Sequence, residues 1–199
     1  MSDESRLVDD QPPRPTWDDA YLEAVANRLM YHYDLEKDRM VDDTTYDLYG
    51  ILQVESKTHI FHPLLDYGNH FDYEHLFVER VPSITEREIR EQVERGHALA
   101  NEWIIPDAEH HSTSFTFISI VPSIPSDVES FVSGFKDRTL LKMGYHGHYE
   151  VNLVVVSPEN VTLVASDNAD VHRAFATWTD VGNRPKPGLI GRVIDALRR

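Results

Sequence analysis

The order of periodic segments predicts an α+β protein, a single mixed or antiparallel sheet with helices packed on it. Two observations carry this: helical and strand-like periodicities are interleaved, and several strands follow one another through short turns. A third bounds it. The chain has 199 residues, enough for one domain with a proper core, and shows no internal repeat.

Residues 1–15, rich in Asp, Ser and Pro, read as a tail that buries nothing. Thr16 then stands as cap of a helix whose first turn carries Asp18 and Asp19, opposite in sign to the helix dipole. Trp17, Tyr21, Ala24, Val25, Leu29 and His32 recur at helical spacing and carry the helix to about Tyr33. Three strands follow: Tyr46–Val54, Thr58–His62 and Phe71–Arg80, with Pro63–His70 as the turn before the third. Pro82 and the box Ser83–Glu86 open the longest helix. Ile89, Val93, His97, Ala100 and Ile104 form its apolar stripe, flanked by Glu86–Arg90 and Glu91–Arg95 at i,i+4 spacing.

Ser114–Val121 is apolar on both faces, which places it centrally in the sheet. Pro125 and Ser126–Glu129 start a shorter helix through about Phe135. Tyr145–Val156 and Val161–Ala165 form a hairpin across the turn Ser157–Asn160. A short helix near Asp170–Trp178 ends the body, so the domain runs over 16–180. Residues 181–199 are a linker with Pro185 and Pro187, then an amphipathic basic helix with Leu189, Ile190, Val193, Ile194 and Leu197 on one stripe. The full order is α-β-β-β-α-β-α-β-β-α plus that last helix.

Charge describes the surroundings. The chain carries 34 Asp+Glu against 19 Lys+Arg, a net charge of −15. Residues 20–183 alone carry −15, and 184–199 carry +4. Acid spread over a folded body repels itself, and molar salt screens that repulsion to about 3 Å. Lysine is scarce, five against fourteen arginines, and cysteine is absent. This composition resembles that of salt-in haloarchaeal proteins and implies a habitat. Trp17–Arg28 and Phe71–Arg80 resemble stretches of uncharacterised haloarchaeal families, known as domains of unknown function, over about residues 16–180. That likeness brings no catalytic residue with it. Without cysteine there is no disulfide scaffold, thiolate zinc site or cysteine nucleophile. No segment reaches the roughly 18 apolar residues of a membrane span, and no leader-like stretch opens the chain, so a cytoplasmic protein is expected.

Two constellations point to chemistry. On a strand, His146, His148, Glu150 and Asn152 would line one face, and two imidazoles with a carboxylate make part of a metal shell. The His-x-His resembles the opening of the cupin metal motif, but the rest of that motif is missing. Asp47 with Glu55-Ser56-Lys57 resembles the Asp…Glu-x-Lys site of restriction-endonuclease-like proteins, which implies Mg²⁺ held by the carboxylates for phosphodiester cleavage. Here Asp47 falls on the strand that runs into Glu55, where that family uses two strands. Tyr46, Tyr49, Tyr67 and Tyr73 read as core aromatics, and His97 as a hydrogen-bonded core histidine. No glycine-rich phosphate loop and no nucleophile elbow occurs, no cofactor is indicated, and the acidic body argues against nucleic acid. The leading expectation is a non-catalytic binding or regulatory protein, with the C-terminal helix as its contact.

Overall fold

The computed structural model describes residues 14–57, 69–107 and 109–179. Asp19, one residue before the first turn, accepts from the amides of Tyr21 and Leu22 and so caps α1 (Ala20–Leu29). The helix ends earlier than its periodicity suggests because the chain turns at Met30–Tyr33 into β1 (Asp34–Val41), a strand the pattern did not announce. β1 lies mostly exposed, so it lacks the apolar alternation that marks a half-buried strand.

β1 pairs antiparallel with β2 (Thr44–Lys57), and β2 pairs antiparallel with β3 (Asn69–Arg80). Glu55–Lys57 therefore continue a strand and do not form a turn. The expected strand Thr58–His62 lies outside the described residues. At Asp47 the side-chain alternation of β2 breaks: Tyr46 and Tyr49 pack on one face, Leu48 on the other. Asp38 opposite has φ 52°, and the Arg80 amide donates to Asp47 Oδ2 at 2.7 Å.

Thr85, not Ser83, caps α2 (Glu86–Trp103). Its hydroxyl accepts from the Glu88 amide while the Glu88 carboxylate accepts from the Thr85 amide. α2 returns the chain to β4 (His110–Ile120), parallel to β3, and α3 (Ser126–Gly134) returns it to β6 (His148–Ser157), parallel to β4. Successive crossovers moving the same way along a sheet keep one hand, so both helices pack on the same face. α3 starts after Pro125 without the expected side-chain cap. β5 (Thr139–Leu140) and β7 (Thr162–Ala165) both pair antiparallel with the far edge of β6, at opposite ends.

The result is one mixed sheet of seven strands among the described residues, in the order β1-β2-β3-β4-β6-β5 with β7 on β6. β4 is central and buried on both faces from Ser112 onward. One face buries Phe77, Phe115, Phe117 and Leu153 under α2 and α3. Gly96 lets α2 close on it, since a Cβ there would stand 2.8 Å from Val151 and 3.1 Å from Phe117. The other face buries Leu76, Val78, Ile118 and Val154 under α1 and α4 (His172–Phe175). That second face is apolar over only half its length. Towards the N-terminal ends of β3, β4 and β6 it carries Glu74, Ser114 and Glu150 in one register row, with Thr116 and Asn152 in the next.

Candidate functional site

The histidines and carboxylates singled out in the sequence meet in part at this polar end. Glu150 and His148 share a face of β6, as alternation requires, and His148 Nε2 lies 3.5 Å from Glu150 Oε1. Arg138 Nε donates to the same oxygen at 2.6 Å. Burial alone would raise the Glu150 pKa. The hydrogen bonds from His148 and Arg138, with the Arg138 charge, outweigh that and hold it below the usual range. His146 does not join them, because β6 begins two residues later and His146 sits in the loop before it. Its Nδ1 is buried without a hydrogen-bond partner.

What sequence spacing missed is the contribution of neighbouring strands. Asp72 of β3 accepts from His111 Nδ1 at 2.7 Å and from the Ser112 hydroxyl of β4. The His111 and His148 rings meet edge-on, with centroids 6.1 Å apart. In the sequence His110 and His111 are only an adjacent pair. The register shift between Phe71 and Asp72 leaves His111 bulged, which brings it to the Asp72 carboxylate. Among the described residues no group of three or more His, Asp or Glu is placed to hold a metal ion.

Above this cluster the chain between β5 and β6 makes a seven-residue connection, 141–147, through a 3-10 turn at Leu141–Gly144. Lys142 and Met143 adopt left-handed φ of 47° and 57°, followed by Gly144 at 92° and Gly147 at 75°. Each left-handed residue bearing a Cβ costs about 1–2 kcal/mol. The connection is nonetheless tied down. The Leu141 amide donates to Gly147 O at 2.9 Å and the His146 amide to Leu141 O at 3.3 Å. His110 Nδ1 donates to His146 O at 2.8 Å, which leaves Nε2 to accept the Thr113 hydroxyl at 2.9 Å and so selects the tautomer. Gly147 lies so close to β4 that a Cβ would stand 2.0 Å from His111 O. At the tip, Met143 is 88% exposed and Tyr145 83%, beside Leu140 at 61%.

The other constellation is not brought together. Asp47, Glu55 and Lys57 all lie on β2, and eight residues of extended chain set Asp47 about 26 Å from Glu55. That span is several times the reach of two carboxylates on one metal ion. Asp47 instead lines a cavity of 170 Å³ with Trp17, Asp19, Lys37, Asp38 and Arg80. There Arg80 pairs with Asp19 at 2.7 Å. Tyr46 and Tyr49 pack on Phe77 in the core, and Tyr67 lies outside the described residues. His97 is half-buried, 3.0 Å from the Tyr149 hydroxyl and 3.3 Å from Asp137. The C-terminal stripe Leu189, Ile190, Val193, Ile194 and Leu197 also lies outside the described residues.

Fold and site together define an α+β protein, a mixed sheet between two helical layers with a polar end under an apolar-tipped loop. Among its described residues no helix is long and apolar enough to cross a membrane. Within that class the chain belongs to the family described as Domain of unknown function (DUF8052), whose model matches residues 18–177. No curated protein and no solved structure matches the chain.

Proposed function

We propose that this is a binding protein of a salt-rich cytoplasm, and that it seats an acidic protein partner on the loop between β5 and β6. The observation that carries the reading is the exposure of Met143 and Tyr145 on a strained loop anchored to the sheet. Two antiparallel neighbours can be joined by a two-residue turn with no apolar side chain. Seven residues, two of them left-handed and bearing side chains, exceed what the connection needs. Strain held by a rigid scaffold is characteristic of recognition loops. The charge that supports an acidic partner is Lys142, exposed beside Met143 on this loop, since Arg138 and His148 turn to Glu150 and residues 141–147 carry no acid on a chain of −15.

The test is co-purification of tagged protein from its own cells in molar KCl, comparing wild type, M143S/Y145S and the remote surface variant I105S. Ile105 is equally exposed, so it controls for the general effect of removing a surface apolar group. Wild type and I105S should retain the same partner, and the double variant should lose it about tenfold or more. Equal retention by all three would overturn the reading. The C-terminal stripe stands as a second contact on the same proposal, and deletion of 183–199 should weaken retention further.

A further inference from the structure

The edge of the sheet opposite β5 and β7 is bare. β1 pairs with β2 on one side, and among the described residues no strand lies on its other side. Asp34 and residues 36–40 are exposed, Met40 at 67%. Every second residue of such a strand turns its amide and carbonyl outward, and proteins commonly guard an edge of this kind with charge. A guard of one sign repels a copy of itself. β1 carries both signs, in the order Asp34-Leu35-Glu36-Lys37-Asp38-Arg39-Met40-Val41.

The faces on which these charges lie decide what they can meet. Glu36 stands opposite Tyr49 and Arg39 opposite Tyr46, and both tyrosines pack in the core under α2. Residues three apart fall on opposite faces of a regular strand. Here Asp38, at φ 52°, turns the alternation over between them. Arg39 Nη1 accordingly reaches Glu36 Oε2 at 2.9 Å, and its guanidinium stands 5.8 Å from the centre of the Tyr49 ring. Leu35 packs on the other face, against the core that holds Leu48 and Leu76. Met40 belongs to that face too, since it lies between Arg39 and Val41, which packs under α2.

We propose that β1 is the self-pairing edge of a twofold dimer, in which a second copy of this chain adds its own β1 antiparallel, in the register that sets Glu36 against Arg39. An axis through Lys37 satisfies that register twice: Glu36 meets Arg39 of the second copy, and Arg39 meets its Glu36. On the other face the same register lays Leu35 against Met40, covering an apolar side chain that one chain alone leaves in water. Lys37 meets its own copy at the axis, where Asp18, 4.0 Å from its ammonium, and the adjacent Asp38 offset the like charges. Two chains of −15 repel one another in dilute salt, and molar KCl shortens that repulsion to about 3 Å. The loop between β5 and β6 lies at the other edge of the sheet and stays open in this dimer, so the inference does not depend on the binding reading.

A contact one strand long is a small interface, so association should appear between about 1 and 100 µM chain. Sedimentation equilibrium of the full chain in molar KCl over that range reads it. Glu36→Arg sets arginine against arginine at both pairs and should weaken the dimer about tenfold or more. Arg39→Glu, which sets glutamate against glutamate, should do the same. The two single variants mixed in equal amounts should associate as wild type does, because arginine then faces glutamate at both pairs. Neither a folding defect nor loss of the internal Glu36–Arg39 pair can produce that rescue. M143S/Y145S should dimerise like wild type. A wild type that stays monomeric, a dimer indifferent to Glu36→Arg, a mixture that does not associate, or a dimer lost in M143S/Y145S overturns the proposal.

Discussion

A methyl group at position 147 would meet His111 O at 2.0 Å and force a side chain onto a φ of 75°. Gly147→Ala should therefore cost about 3 kcal/mol, combining overpacking with left-handed strain. Denaturant unfolding measures it, and a loss under 1 kcal/mol would mean the connection relaxes freely. His75 makes the other prediction at this scale. Buried among Trp103, Phe115 and Phe77, with the Tyr49 hydroxyl 2.7 Å from Nδ1, its pKa falls to about 4 because burial disfavours the charged ring. The unfolded ring binds a proton near pH 6.5, so between those values the unfolded state holds more protons and stability rises with pH. Up to about 3 kcal/mol is present above pH 6.5 and lost towards pH 4. His75→Phe should flatten that part of the stability profile, and an unchanged slope would assign it to other groups.

Elements are held here by their ends as much as by their faces. Thr85 and Glu88 close a reciprocal cap on α2, and Thr85→Ala should cost about 1 kcal/mol. Thermal unfolding with an unshifted midpoint would count against it. Arg95 shows why helix spacing alone misleads. At i,i+4 from Glu91 it reads as a helix-surface pair, yet it turns to Asp43 at 3.3 Å and to the Thr44 hydroxyl. Glu91 pairs with Arg87 instead, at 3.4 Å. A guanidinium at the sheet edge gains more from a fixed turn than from a mobile neighbour on its own helix. The two crossover helices likewise lie on one face because β3, β4 and β6 are laid down in one direction. That leaves the opposite face to α1 and the short α4, which cover only its apolar half.

Across the whole molecule the chain carries −15, and among the described residues few ionisable groups are buried, with Glu150 paired to Arg138. Repulsion among exposed carboxylates should make the protein more stable as KCl rises from about 0.1 to 2 M, where screening shortens from about 10 Å to below 3 Å. Calorimetry across that range checks it, and a flat or falling midpoint would separate the acidic composition from salt adaptation.

Sequence alone was enough for the α+β class, the central place of Ser114–Val121, the hairpin around Ser157–Asn160 and the shared face of His148 and Glu150. These follow from periodicity, which local backbone geometry imposes within one segment. It missed β1, because an exposed edge strand has no buried face to pattern. It also placed His146 with His148, because strand alternation says nothing of where pairing with β4 begins. Only the tertiary structure could join Asp72, His111 and Ser112 to His148 and Glu150. Those meetings depend on strand register. Register is decided by packing between segments far apart in the chain, and no spacing within one of them records it.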